Sequence, residues 1–123
     1  MFQQDYILRE IQALTRFLAK AAFQTELESD YLLDESGIVT GEKFFAHTLF
    51  ALVARGQLNE AENLLFEEIE KNPQQEYMEL AIRFYSRLNA MDDKTLRKYN
   101  FTREEIIEGL AAIKKIYGEQ AAT

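Results

Sequence analysis

Phe44-Phe45-Ala46-His47-Thr48-Leu49-Phe50-Ala51-Leu52-Val53-Ala54-Arg55-Gly56-Gln57-Leu58-Asn59-Glu60-Ala61-Glu62 is the stretch whose reading decides the fold. Its first eleven residues are apolar on nearly every side, and a helix of that kind is buried in the middle of a bundle. The helix is expected over 42–55. Gly56 then sits where a left-handed residue closes a helix. Asn59, followed three residues later by Glu62, has the spacing of a reciprocal capping box that opens a second helix. That second helix carries Ala61, Leu64, Leu65 and Ile69 inward and stops at Asn72-Pro73. Two helices joined by so short a turn form an antiparallel pair.

Helical periodicity extends in both directions from this pair. Ile7, Ile11, Leu14, Leu18 and Ala21 recur at alternating spacings of four and three, which predicts an amphipathic helix over 1–23. Phe2, Tyr6, Ala13 and Phe17 add a second apolar flank, wider than a surface helix on a small core needs. Residues 24–41 are the least regular and read as a connecting arm. A calcium loop starting at Asp30 fails because Glu35 occupies the position that requires glycine. Beyond Pro73, Tyr77, Leu80, Ala81, Phe84, Tyr85 and Leu88 mark a helix near 75–89. Asp92-Asp93 can cap a short helical piece at 95–99. The last helix has the clearest start: Thr102 and Glu105 form a capping box, with Phe101 and Ile106 placed as a hydrophobic staple. Its apolar face ends at Tyr117, and 118–123 read as a frayed tail.

The composition agrees. Fifteen leucines, fourteen alanines and sixteen glutamates stand against two valines, five glycines and one proline. Straight-chain and small side chains lose little rotamer freedom in a helix. The expected fold is all-α, with five or six helices in a single domain over 1–123 and the tight helix pair at its centre. Residues 42–117 make up the helical-hairpin region. At 123 residues such a domain buries roughly two thirds of its unfolded surface.

The chain has no cysteine, so disulfides, thiolate metal sites and cysteine nucleophiles are excluded. No apolar run is long enough to cross a bilayer, and Met1-Phe2-Gln3-Gln4-Asp5 lacks the basic start of a signal peptide. A soluble, cytoplasmic protein without membrane attachment is the expectation. The net charge of −7 opposes nonspecific binding to nucleic acid.

Catalytic handles are scarce. His47 is the only histidine, the usual general base near neutral pH. On so apolar a helix it reads as a packed or half-exposed structural residue. Ser29, Ser36 and Ser86 lie in no nucleophile-elbow pattern, and no glycine-rich phosphate loop is present. A di-metal carboxylate bundle needs two Glu-x-x-His motifs, and one histidine cannot supply them. No catalytic, metal or cofactor-binding residue is assigned, and no cofactor is expected. The charge pattern says more. Residues 59–79 carry net −6 and residues 83–103 carry net +4.

Phe45 to Pro73 resembles one tetratricopeptide unit. Gly56 matches the glycine between the paired helices, Ala61 the small residue of the second helix and Pro73 the closing proline. Phe45 takes the aromatic position, while Leu49 and Glu68 depart from the pattern. The whole chain also resembles a family of small bacterial proteins of unknown function. That likeness rests on Asp5-Tyr6-Ile7, Asn59-Glu60-Ala61-Glu62-Asn63-Leu64-Leu65-Phe66, Phe84-Tyr85-x-Arg87-Leu88-Asn89, Asn100-Phe101-Thr102-Arg103-Glu104-Glu105-Ile106 and Gly109-Leu110. It implies an all-helical domain with a tetratricopeptide-like hairpin, and it carries no activity.

The function expected from these features is a non-catalytic interaction or scaffold module for an unidentified protein or peptide. Phe2, Tyr6, Ile7 and Phe17 are its candidate residues for a homodimer interface. Arg83, Arg87, Lys94, Arg97, Lys98 and Arg103 form a candidate basic contact surface. One alternative is nucleic-acid contact through that basic segment, with Tyr99 and Phe101 as stacking groups. A small enzyme with no recognisable motif is the other.

Overall fold

The turn at Gly56 organises one side of the molecule. In a computed structural model that describes residues 2–22 and 41–122, Gly56 has φ +79°. It links α2 (Gly41–Ala54) to α3 (Leu58–Lys71). The Gly56 N–H donates to the Val53 carbonyl and the Gln57 N–H to the Leu52 carbonyl, both at 2.9 Å. This pairing closes a helix on a left-handed residue. Asn100, with φ 60°, does the same after α5 (Asp93–Lys98), through Asn100 N–H to Arg97 O and Phe101 N–H to Leu96 O. The two turns pack together. The Tyr99 ring lies against Gly56, and the Asn59 side-chain amide donates to the Asn100 carbonyl at 3.0 Å.

Asn59 therefore does not open α3 as its spacing suggested. The chain re-enters a helix at once, with Gln57 as N-cap, and the Gln57 amide bonds Glu60. Glu62 reaches across to Tyr85 instead of back to Asn59.

Among the described residues there are six helices and no strand, so the fold is all-α. The spatial centre is α4 (Gln75–Asn89), which packs against α1 (Phe2–Ala22), α2, α3 and α6 (Arg103–Ala122). Nine of its residues between Tyr77 and Leu88 are buried. The pair α2 and α3 is central in sequence but lies to one side of α4, with α1 and α6 packed elsewhere on α4 and on each other. On α1, Ile11 and Leu18 are buried while Ile7 and Leu14 pack against the core, as the stripe predicts. The arm at 24–41 lies outside the described residues up to residue 40. The last helix does not stop at Tyr117. It continues to Ala122, because Glu119-Gln120-Ala121-Ala122 are good helix formers with no proline among them.

The capping box of α6 is present. The Thr102 N–H donates to Glu105 Oε2 at 2.9 Å, the Glu105 N–H donates to Thr102 Oγ1 at 3.2 Å, and Phe101 and Ile106 are both buried. Thr102→Ala is expected to cost about 1 kcal/mol in chemical denaturation. An unchanged midpoint would mean that the cap contributes nothing.

Arg103 carries more. Its Nε donates to Asp93 Oδ1 at 2.8 Å, its Nη1 to Asn89 Oδ1 at 2.6 Å and Asn89 O at 3.1 Å, and its Nη2 to Met91 O at 2.6 Å. The side chain is 12% exposed, so these bonds are sheltered from water. One guanidinium thus ties the end of α4 and the start of α5 to the start of α6. Arg103→Ala is expected to cost about 3 kcal/mol, since it leaves several acceptors unpaired. Arg103→Lys should recover only part of that loss, because a point-charge ammonium cannot span the same fork. Equal stability of wild type and the lysine variant, measured in urea, would contradict this role.

Candidate functional site

Burial in the middle of a bundle is not what α2 achieves. Only Leu49 and Val53 of its described side chains are buried, and Phe44 is 66% exposed. The reason is position: α2 packs on α3 and α4 along one side and meets no other described helix extensively. Phe45 anchors its start, edge-to-face with Tyr77 of α4 at 5.5 Å. Further along, a groove of about 490 Å³ lies between the two helices. Ala46, His47, Phe50 and Ala51 line it from α2, and Leu80, Arg83 and Arg87 line it from α4. The Arg87 guanidinium stands over the Phe50 ring at 4.9 Å, which holds its charge at the mouth while its stem covers apolar surface. Among the described residues that line it, the floor is apolar and the charged side chains are those of Arg83 and Arg87.

The sequence-derived candidates are distributed unevenly around this groove. Arg83 and Arg87 line it. Lys94, Arg97 and Lys98 are exposed on or beside α5, with the Lys98 ammonium over the Tyr99 ring at 5.6 Å. Arg103 is taken up in its interhelical bonds, so the six basic residues do not form one surface. Phe101 is buried and Tyr99 is wedged against Gly56, so neither offers the open ring face that base stacking needs. His47 is exposed at the groove and not packed in the core.

On α1, Tyr6 is 66% and Phe17 55% exposed. Three helical turns separate them, so they point the same way to within about 20°. The Lys114 ammonium covers the Phe17 ring at 4.5 Å. Ile7, expected on the same interface, packs against the core instead. The Phe2 side chain lies outside the described residues.

A smaller depression of about 260 Å³ between α1 and α4 is lined by Ile11, Gln12, Thr15, Arg16, Ser86 and Asn89. Among the described residues that line it there is no histidine or carboxylate to serve as a general base for the serine hydroxyl. Among the described residues no group of three His, Asp or Glu is placed to hold a metal ion. No described helix is long and apolar enough to cross a membrane.

A part-buried polar contact links α3 to α4. Tyr85 Oη donates to Glu62 Oε2 at 2.6 Å beneath α6. Burial pushes the Glu62 carboxyl above its usual range, with Glu105 and Glu108 adding to the rise and the Tyr85 bond opposing it. Burial and the facing carboxylate push the Tyr85 hydroxyl upward too. The folded state thus holds the Glu62 proton to higher pH than the unfolded chain does. Stability contributed by this group is present at low pH and falls as pH rises through the raised value. Glu62→Gln keeps an acceptor for Tyr85 and removes the charge. It should melt at or above wild type at neutral pH and lose that part of the acidic slope. A glutamine variant markedly less stable at neutral pH would reverse the sign of this account.

The groove residues Ala46, Phe50, Ala51 and Leu80 were not singled out as a site by sequence. For the three on α2 the signal was the all-round apolarity of 44–54, and Leu80 was read only as part of the apolar face of the next helix but one. Residues 1–118 match a family described only as a family of unknown function, DUF6483. No curated protein and no solved structure matches the chain.

Proposed function

The chain belongs to this family of unknown function, and from its own residues we propose that it is a non-catalytic protein-interaction module whose docking surface is the groove between α2 and α4. The observation that carries the reading is the groove's make-up. An apolar floor of Phe50, Ala51 and Leu80 is bordered by Arg83, Arg87 and His47. Apolar clefts with a few placed polar groups are binding surfaces. Among the described residues of the lining, His47 has no serine or threonine beside it to activate, which favours binding over nucleophilic chemistry. The tetratricopeptide resemblance of 45–73 is consistent with this role by analogy of architecture alone. A cytoplasmic setting belongs to the same proposal, in keeping with a chain that contains no cysteine.

The test compares the full chain with an Ala51→Arg variant, both immobilised and exposed to the same cell lysate. Ala51→Arg fills the groove from its floor and leaves the buried Leu49 and Val53 of α2 in place. A protein retained by wild type and lost by the variant, at unchanged helicity and melting, is the expected result. Identical retention by both overturns the docking surface.

Self-association is a second reading, favoured by the shared azimuth of exposed Tyr6 and Phe17 on α1. Large exposed aromatics on one helix face mark contact sites, and twofold dimers are the commonest way to cover them. Light scattering at micromolar concentration tests it. A mass near 14.3 kDa contradicts the dimer. A dimer that survives Tyr6→Glu with Phe17→Glu places its interface elsewhere.

A further inference from the structure

The exposed side of α1 carries enough detail to say how two copies of the chain meet. We propose that the occupant of this face is α1 of a second copy, running antiparallel, with Tyr6 of each copy packed on Phe17 of the other. This rests on the self-association reading given above and is independent of the α2–α4 groove.

Shape is the first argument. Tyr6, Ala13 and Phe17 are all exposed. At 100° per residue they lie within about 40° of one another, on a side of α1 turned away from the buried Ile11 and Leu18. Tyr6 and Phe17 stand about 16.5 Å apart along the axis, and Ala13 falls near the midpoint. Side-chain size at the contact sets how closely two helix axes approach, so a methyl between two large rings lets the helices meet at their centre. A twofold axis near Ala13 brings Tyr6 level with Phe17 of the other copy and covers all four rings at once. Rings facing in that register can take the edge-to-face arrangement that aromatic pairs prefer.

Charge sets the direction. Asp5, Arg9, Arg16 and Lys20 are exposed and border the stripe on one side, within about 60° of one another. Arg16 and Lys20 are the charged residues of α1 from Ile11 onward, and the Lys114 ammonium of α6 adds a third cation over the Phe17 ring at 4.5 Å. Asp5 and Glu10 lie in the preceding half, with Arg9. Parallel helices would set Arg16, Lys20 and Lys114 of one copy against the same three of the other, and like charges brought together oppose association. Antiparallel helices set that basic half against the half that holds the acids. About a twofold axis perpendicular to the helices, each border meets the same border run backwards. Asp5 then comes level with a point between Arg16 and Lys20 of the other copy, and the pairing occurs twice. Opposed helix dipoles act in the same sense.

The chain has no cysteine, so engineered thiols report the register directly. Full-length Tyr6→Cys and Phe17→Cys variants are oxidised separately and after mixing. A disulfide needs Cα atoms within about 7 Å. The mixture should crosslink, because position 6 of one variant faces position 17 of the other. Each variant alone should not, because like positions stand about 16.5 Å apart along the axis. Every mixed dimer keeps one native Tyr6–Phe17 pair. A charge swap checks the direction: Lys20→Glu should weaken the dimer about fivefold in sedimentation, and Asp5→Lys added to the same chain should restore it. Crosslinking of either variant with itself, or no rescue by Asp5→Lys, overturns the antiparallel register and leaves self-association standing. A dimer in light scattering whose mixed variants form no crosslink has its interface elsewhere and also overturns the proposal. A wild-type monomer at micromolar concentration overturns both the register and the self-association reading.

Discussion

Gly56→Val is expected to lower stability by about 3 kcal/mol and the melting temperature by roughly 10 °C. Two costs add at this residue. The backbone φ of +79° lies in the left-handed region, where a β-branched side chain is an outlier. Any Cβ built there also overlaps the Tyr99 ring. Tyr99 cannot simply swing aside, because it packs against the core and its neighbour Asn100 holds Asn59 across the turn. Two further variants separate the costs. Gly56→Asn tolerates the left-handed backbone and retains the overlap. Gly56→Val with Tyr99→Ala removes the overlap and retains the strain. Both are expected to fall between wild type and Gly56→Val relative to their own backgrounds. An unchanged melting temperature for Gly56→Val would mean that the helix pair does not turn at this residue.

The second large effect has a sign opposite to the one helix propensity gives. Gly109 lies inside α6, where alanine ordinarily stabilises by about 1 kcal/mol. Gly109→Ala should instead cost about 2 kcal/mol. The added methyl would overlap the hydroxyl and Cζ of Tyr85. That tyrosine is 1% exposed, stacked edge-to-face on Phe84 at 4.8 Å and bonded to Glu62 at 2.6 Å. Moving the ring breaks the hydrogen bond and leaves a partly buried carboxylate without its donor. In a Tyr85→Leu background the overlap disappears, and Gly109→Ala should become neutral or stabilising. Calorimetry on the four chains gives the cycle. A coupling near zero would show that α6 does not cross α4 over this ring.

Much of the fold was legible because it depends on local chemistry. The turn at Gly56, the Thr102–Glu105 box, the Phe101–Ile106 staple and the stripe of α1 are each written within a few residues. The close neighbour of Gly109 in mid-helix, Tyr85, is identified only by the fold. What misled was chemistry that depends on distant partners. Asn59 and Glu62 have capping-box spacing, yet each bonds a residue far along the chain, Asn100 and Tyr85. Asn100 ends α5 as a left-handed asparagine, a role its sequence neighbours do not reveal. Arg103 counts as surface charge in a linear tally and is a half-buried clasp in space.

The candidate site was legible only in inverse. Residues 44–54 have more apolar perimeter than two neighbouring helices can cover, and burial all round was the simpler inference. The fold places α2 at the side of α4, so the surplus becomes a groove. That Arg83 and Arg87 should border it follows from their spacing of one turn on α4, but which helix they face does not.

Site-specific photocrosslinking in cells tests the central claim most directly. A benzophenone amino acid replaces His47, at the groove, or Lys115, exposed on α6. Irradiation should yield a discrete protein adduct from position 47, absent from position 115 and abolished by adding Ala51→Arg. No adduct from position 47, or the same adduct from both positions, would contradict the claim that the α2–α4 groove is where this protein meets its partner.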